Sequence, residues 1–293
     1  MRKVKPLNDF IFKKIFGEKG PFYMKKGTVV TGTVEGLSFP NKGILTVEDS
    51  RMVVKNTIPG QVIEAVVTKN GSNRMEGRLQ RVVTPSPLET ESPCPHYGVC
   101  GGCAYQTIPY EEQLKIKSEQ VRQLLTPVLG EDFPFEGIEE SPRQSEYRNK
   151  MEFSFGDFVK DGPMTLGMHK RGSFYDIVTV DGCRIVDEDY RQILRATLDY
   201  FTEKGIPFYR KIQRTGALRH LVVRKAVKTG EILVMLVTTS AYRADEEFVS
   251  MLQKLPLNGT YAGILQAIND LPADTVQSQE TIVLYGRDHF YEE

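Results

Sequence analysis

Between residues 27 and 84 short apolar, β-branched runs are broken by polar turns, which predicts an all-β stretch. Strands are expected over 28–34, 44–47, 52–54, 62–68 and 75–83, with a loop at 36–41, a turn at Asp49-Ser50 and another at Asn70-Gly71. Four or five short strands in about sixty residues suggest a small barrel of OB type. From 110 to 125 the period lengthens. Leu114, Val121, Leu124 and Leu125 share one side of a helix that Pro127 and Gly130 should stop. Residues 147–155, 166–171 and 176–180 read as strands, 187–203 as a helix, and 218–227 with 231–238 as a hairpin. A helix over 245–254 and strands over 263–269 and 281–285 complete an α+β domain. Residues 1–23 carry their own short amphipathic pattern, with Leu7, Phe10, Ile11 and Ile15 on one face.

The stretch 93–106, rich in Gly and Pro, interrupts every period. Cys94, Cys100 and Cys103 stand there in a C-x5-C-x2-C spacing, and one further cysteine, Cys183, lies about eighty residues on in Val-Asp-Gly-Cys-Arg. Four thiolates suit an iron–sulfur cluster or a structural zinc. Zinc sites usually pair their cysteines in two knuckles, so one knuckle with a distant fourth ligand favours a cubane cluster. Four cysteines without metal is the plainer alternative.

Net charge is zero over 293 residues, so the whole chain makes no argument for nucleic acid. The distribution is uneven. Residues 1–84 hold fifteen Lys/Arg against seven Asp/Glu, and 245–293 hold two against nine. Between Glu203 and Glu231 there is no acidic residue, but Arg210, Lys211, Arg214, Arg219 and Arg224 occur there, with Tyr209 able to stack on a base. An RNA-binding face is expected on this stretch, against the alternative of a solvated hairpin with basic edges. No apolar run is long enough to span a membrane and no signal-peptide pattern opens the chain, so a cytoplasmic protein without membrane contact, acting as a monomer, is expected.

Three resemblances add to this. The run Leu-Asn-Asp-Phe-Ile-Phe-Lys-Lys-Ile-Phe-Gly resembles the opening of PD-(D/E)xK nuclease/transposase-like proteins, while Met24-Lys25-Lys26 reads as a start of its own. Residues 27–84 resemble a TRAM domain, which implies RNA binding through basic side chains such as Lys25, Lys26, Arg78 and Arg81. Then C-x5-C-G-G-C-x-x-Q, Tyr147-Arg148-Asn149-Lys150 and Asp-Gly-Cys183 together resemble the RNA (uracil-5-)-methyltransferase family, in its branch acting on 23S ribosomal RNA.

That resemblance implies a 4Fe-4S cluster on Cys94, Cys100, Cys103 and Cys183, an RNA contact by Arg148 with Lys150 beside it, and S-adenosylmethionine as methyl donor. In the family a further cysteine attacks C6 of the uracil so that C5 can take the methyl. All four cysteines here are assigned to the cluster, and no strand, Gly-rich loop and helix for the donor is seen. The expected fold class is therefore an all-β OB-like barrel (TRAM), then an α+β central domain carrying the iron–sulfur loop, with the Rossmann-like methyltransferase domain absent. No catalytic residue is assigned. The expected divisions are a leader at 1–23, barrel at 24–84, linker and cysteine loop at 85–109, helix at 110–130 and central RNA-binding domain at 131–293. The competing function is a non-enzymatic RNA-binding module with a structural four-cysteine metal site.

Overall fold

The computed structural model describes residues 24–48, 50–71, 74–273 and 275–293. The amphipathic leader helix expected within 1–23, and Asp49 of the expected turn, lie outside the described residues. The chain forms two compact units, one from Met1–Ser92 with Ala104–Pro142 and the other from Pro93–Cys103 with Arg143–Glu293.

The first unit holds β1 (Val29–Thr33), β2 (Gly36–Ser38), β3 (Lys42–Val47), β4 (Ser50–Lys55), β5 (Val62–Gly71), β6 (Arg74–Thr84) and α1 (Tyr110–Leu129). Its six strands make one sheet in the order β1-β5-β6-β4-β3-β2, antiparallel except for the parallel pair β4–β6. Alternation along β5 buries Ile63, Ala65 and Val67, which pack with Val30, Leu45 and Met52. Each of the larger side chains removed from water contributes about 1.5–3 kcal/mol. The loop expected at 36–41 contains β2, which pairs with β3 across a turn. Three residues are too few to show a period, and only Leu37 of the three is buried. Helix α1 runs through Pro127 to Leu129 instead of stopping before it. Pro127 forgoes one helical hydrogen bond without ending the helix, which Gly130 closes with its amide on the Thr126 carbonyl at 2.9 Å.

The second unit holds β7 (Lys150–Asp157), β8 (Met164–His169), β9 (Ile177–Thr179), α2 (Glu188–Lys204), β10 (Leu218–Lys225), β11 (Glu231–Thr238), α3 (Glu246–Gln253), β12 (Thr260–Ile268) and β13 (Glu280–Gly286). Its seven strands run in the order β13-β12-β11-β10-β7-β8-β9. Only β11–β12 is parallel, and α3 carries the chain between them. Both helices begin on an aspartate cap. Asp187 accepts from the Asp189 amide at 3.0 Å and Asp245 from the Phe248 amide at 3.0 Å. Phe201 of α2 sits among Phe155, Tyr242 and Phe248, with centroid distances of 5.8, 5.6 and 5.3 Å. The other face of the sheet carries a smaller cluster of Val222, Val237 and Ala267.

The fold class expected from the sequence does not hold. In place of an all-β OB-like barrel of TRAM kind followed by an α+β domain, each unit is built on a mixed sheet. Periodicity shows which residues share a face. It does not show which strands are neighbours or which way they run, so the parallel pairs β4–β6 and β11–β12 escaped it. Among the described residues no helix is long and apolar enough to cross a membrane.

Candidate metal and RNA-binding site

The four cysteines all belong to the second unit. The loop 93–103 is pinned to the end of β8. The Gly101 amide donates to the His169 carbonyl at 2.9 Å, and the Arg171 amide to the Val99 carbonyl at 2.7 Å. Cys183 reaches the same place from a turn ahead of α2, and that turn is tied to the loop by side chains. Gly182 donates its amide to His96 Nε2 at 3.0 Å, and Arg184 Nε donates to the Pro93 carbonyl at 3.3 Å. A Cβ on Gly182 would lie 2.9 Å from Pro95 Cγ, so a larger residue would force the turn off the loop.

Two arginines complete the frame. Arg171 donates to the Cys103 carbonyl at 2.7 Å, and its guanidinium covers the Tyr97 ring at 5.3 Å. Arg191, on the first turn of α2, donates through Nη1 to the Cys183 and Val186 carbonyls, both at 2.9 Å. Its Nη2 and Nε hold Glu146 at 3.0 Å and Glu188 at 2.8 Å. The Tyr147–Lys150 stretch is thereby brought beside the cysteines. The Glu146 and Arg148 amides donate to the carbonyls of Arg184 and Ile185, both at 2.9 Å.

The thiols sense one another. Burial pushes both the Cys100 and the Cys183 thiol above the usual range, and negative charge on Cys94 and Cys103 pushes each of them further. The Tyr147 phenol is also raised, by burial first and then by the Cys103 charge, with Cys183 adding to it. Amides oppose this. The Gly102 N–H points at Cys100 Sγ from 3.4 Å, and those of Ile185 and Val186 act on Cys183. A desolvated group of mutually repelling thiols with amides aimed at its sulfurs suits a cationic centre. All four are free of disulfides. Among the described residues no three His, Cys, Asp or Glu side chains are gathered tightly enough to hold one metal ion. A zinc ion at about 2.3 Å from each sulfur would draw them to within about 3.8 Å of one another, whereas a cubane gives each thiolate its own iron and spreads them.

The residues expected to meet RNA are dispersed. Arg148 is exposed beside the cysteine turn, with Nε on the Lys150 carbonyl at 3.0 Å, and Lys150 pairs with Glu152. Arg210 is half-buried and pairs with Asp161 at 2.9 Å. Lys211 is half-buried and Arg214 exposed on the loop that follows. Gly216 has φ +101°, and a Cβ there would strike the Phe208 carbonyl oxygen at 2.0 Å, so the sharp return of this loop requires glycine. Arg224 is exposed on β10.

Arg219 departs from the expected exposed RNA contact. It is 2% exposed, and its Nη atoms donate to the carbonyls of Asn269 and Leu271 at 2.8 Å and of Ala273 at 2.6 Å. Its position on a strand buried on both faces overrides its charge. Among the basic residues of the first unit, Lys25, Lys26 and Arg78 are exposed, while Arg81 pairs with Glu64. Sequence reasoning did not single out His96, Arg171, Arg191 or Tyr147. His96 and Tyr147 lie within the quoted motifs. Arg171 gave no signal because its carbonyl partner, Cys103, is far away in sequence, and Arg191 gave none because its partners Cys183 and Val186 are backbone carbonyls, which no residue pattern marks.

No family model matches the chain. A Clostridium tetani protein named as an uncharacterized RNA methyltransferase is 45% identical over 271 residues, which is 92% of this chain and 59% of that protein. A Caldanaerobacter subterraneus subsp. tengcongensis protein of the same description is 44% identical over 92% of this chain and 60% of its own length. The chain therefore spans about three-fifths of these curated relatives. Among solved structures it is similar to the Pyrococcus abyssi tRNA (uracil-54, C5)-methyltransferase in complex with S-adenosyl-L-homocysteine. That likeness has a TM-score of 0.63 and 21% identity, over 90% of this chain and 57% of that one. The likeness bears on the fold class too: nine-tenths of the chain shares its fold with 57% of that chain.

Proposed function

We propose that this chain serves S-adenosylmethionine-dependent methylation of C5 of a uridine in RNA, with 23S ribosomal RNA as the substrate. The observation that carries the reading is the 45% identity to a protein named as an RNA methyltransferase, extending over 92% of the chain. The Pyrococcus abyssi neighbour supports uracil C5 as the position and S-adenosylmethionine as the donor. The family motifs in Cys94–Cys103, Tyr147–Lys150 and Gly182-Cys183 support the ribosomal branch.

Cys94, Cys100, Cys103 and Cys183 would hold a 4Fe-4S cluster. When bound, the cluster supplies positive charge that relieves the repulsion among the four thiolates and joins the loop to the turn before α2. Around it this chain's own residues do the positioning. Arg171 and Arg191 fix the carbonyls of Cys103 and Cys183, and His96 fixes the turn between them. Arg148 faces solvent from the same frame, where it meets RNA, while Lys150, Arg210, Lys211, Arg214 and Arg224 supply charge for the backbone.

The test is deletion of the gene, followed by mass-spectrometric mapping of 5-methyluridine in ribosomal and transfer RNA. Loss at one position of 23S ribosomal RNA is the expected result. Loss confined to transfer RNA would replace the ribosomal reading, and an unchanged map of both would overturn the function.

A further inference from the structure

A cavity of about 380 Å³ opens in the second unit, and no cysteine lines it. Its walls are the end of β7 from Ser154 to Asp157, the start of β9 with Tyr175 and Asp176, and the loop from Phe208 to Gln213. This volume lies in the range of small-ligand sites. The residues around its mouth are unusually apolar for a surface. Ile212 is 76% exposed, Tyr175 62% and the adjoining Phe174 84%.

The aromatic walls are held in place from one side. The Arg210 guanidinium covers the Phe208 ring at 4.8 Å, and that of Arg219 covers the Tyr209 ring at 4.4 Å. Arg219 is buried and lines the cavity, and its Nε has no hydrogen-bond partner although both Nη atoms are committed to carbonyls. A buried N–H left unpaired is unfavourable, and a ligand acceptor would relieve it. Asp157 is also nearly buried and offers carboxylate oxygens, one of which accepts the Asp161 amide at 2.9 Å. A fixed donor and a fixed acceptor between aromatic walls match the hydrogen-bonding edge of a nucleobase. Lys160 is exposed and Lys211 half-buried at the same cavity, within reach of phosphates on either side of a base.

We propose that this cavity takes one unstacked nucleobase of single-stranded RNA, its ring against Tyr175 and Tyr209, its edge on Arg219 and Asp157. The two carboxylates, Asp157 and Asp176, keep the phosphates out of the interior and leave them to the lysines. The proposal deepens the RNA reading and rests on it. A protein side chain is the competing occupant, but an apolar anchor would leave the donor and acceptor unmet.

The test uses the 293-residue chain and short single-stranded oligoribonucleotides in which each position in turn is made abasic. Adenosine, guanosine, cytidine and uridine monophosphates and N-acetylphenylalanine amide are titrated separately. One abasic position should cost about tenfold in affinity, and that penalty should vanish in Tyr175→Ala. Oligonucleotides carrying 4-thiouridine at that position should crosslink to peptides containing Tyr175 or Tyr209. Because Tyr175 is largely exposed, the variant should melt with the parent, and its melting curve checks this. RNA binding with no abasic penalty above twofold and crosslinks elsewhere would overturn the cavity while leaving the RNA reading intact. Binding of a monophosphate without binding of RNA would keep the cavity and sink the RNA reading. Binding of the phenylalanine amide in preference to every monophosphate would give the cavity to a protein partner and overturn the proposal.

Discussion

The cysteine neighbourhood and the basic stretch from Lys204 to Lys228 lie in the same unit and fared differently on folding. In the first, residues about eighty positions apart meet, and almost every polar group near them is committed to keeping them together. In the second, charges that are adjacent in sequence part company. Arg210 pairs with a carboxylate, Arg219 is buried on carbonyls, Arg224 faces solvent and Lys225 turns inward to two aspartates. Ligand chemistry is local to each side chain and survives folding into any loop. A charge contributes to a surface only if its strand face and its neighbours leave it there.

The largest expected effect tests the cysteine half of this comparison. Protein purified without oxygen should carry iron and sulfide, and Cys183→Ser should lower both by about tenfold or more, as Cys100→Ser does. Full iron content in Cys183→Ser would remove the distant cysteine from the ligand set. Zinc in place of iron in the parent would remove the cluster.

Next in size is Lys225, which lies in the basic stretch and is structural in the fold. Its Nζ lies 2.7 Å from Asp187 and 2.6 Å from Asp189, whose carboxylate also accepts the amides of Asn258 and Gly259 at 2.8 and 2.9 Å. Lys225→Met would leave the Asp189 carboxylate buried without its cation. We expect a loss of about 3–5 kcal/mol in urea unfolding. A pH series sharpens this. Burial disfavours the charged form of Asp189, but Lys225 and the two amides outweigh it and hold the carboxyl below its ordinary value of 3.8. The stabilisation is therefore present above that value and disappears as pH falls through the lowered one. Stability that rises on acidification through this window, or a Lys225→Met loss below 1 kcal/mol, would refute the role.

Arg219→Leu comes third. It removes the donors of the Asn269, Leu271 and Ala273 carbonyls, and we expect about 2–4 kcal/mol of destabilisation. RNA affinity measured well below the melting temperature should fall only through the cavity base and not through the salt-dependent part. A smaller salt slope would return Arg219 to the phosphate-binding set.

Much of this was legible in the chain. The helices begin on Asp187 and Asp245 as the sequence suggests, and the four cysteines, expected as one ligand set, fall in one unit. The neighbours of each strand were not legible, since β4–β6 and β11–β12 are parallel pairs that nothing local signals. Nor was the fate of Arg219. It stands beside His220 where the β10–β11 register shifts, and its guanidinium is covered by carbonyls of the segment 269–273. Pro127 misled too, because a proline disturbs the turn before it and does not by itself prevent the residues after it from staying helical.

The smallest effect decides whether the basic stretch retains an RNA face at all. Arg224 stands near the end of β10, exposed, while its strand partners Lys150 and Leu233 fix the backbone around it. Arg224→Ala should leave stability within about 0.5 kcal/mol, since a solvated arginine contributes little to folding. If it neutralises one phosphate, its loss releases one fewer counterion, and the slope of log affinity against log salt should fall by about one. Affinity itself should drop a fewfold at low salt and converge with the parent at high salt. Arg148→Ala, beside the cysteine turn, is the contrast. A base contact alters the preference between RNA sequences while leaving the salt slope in place. If both variants change the slope alike, Arg148 is one more backbone charge and the cysteine frame positions nothing specific. If neither changes it and Arg148→Ala also leaves the preference between sequences intact, RNA approaches this unit by neither residue.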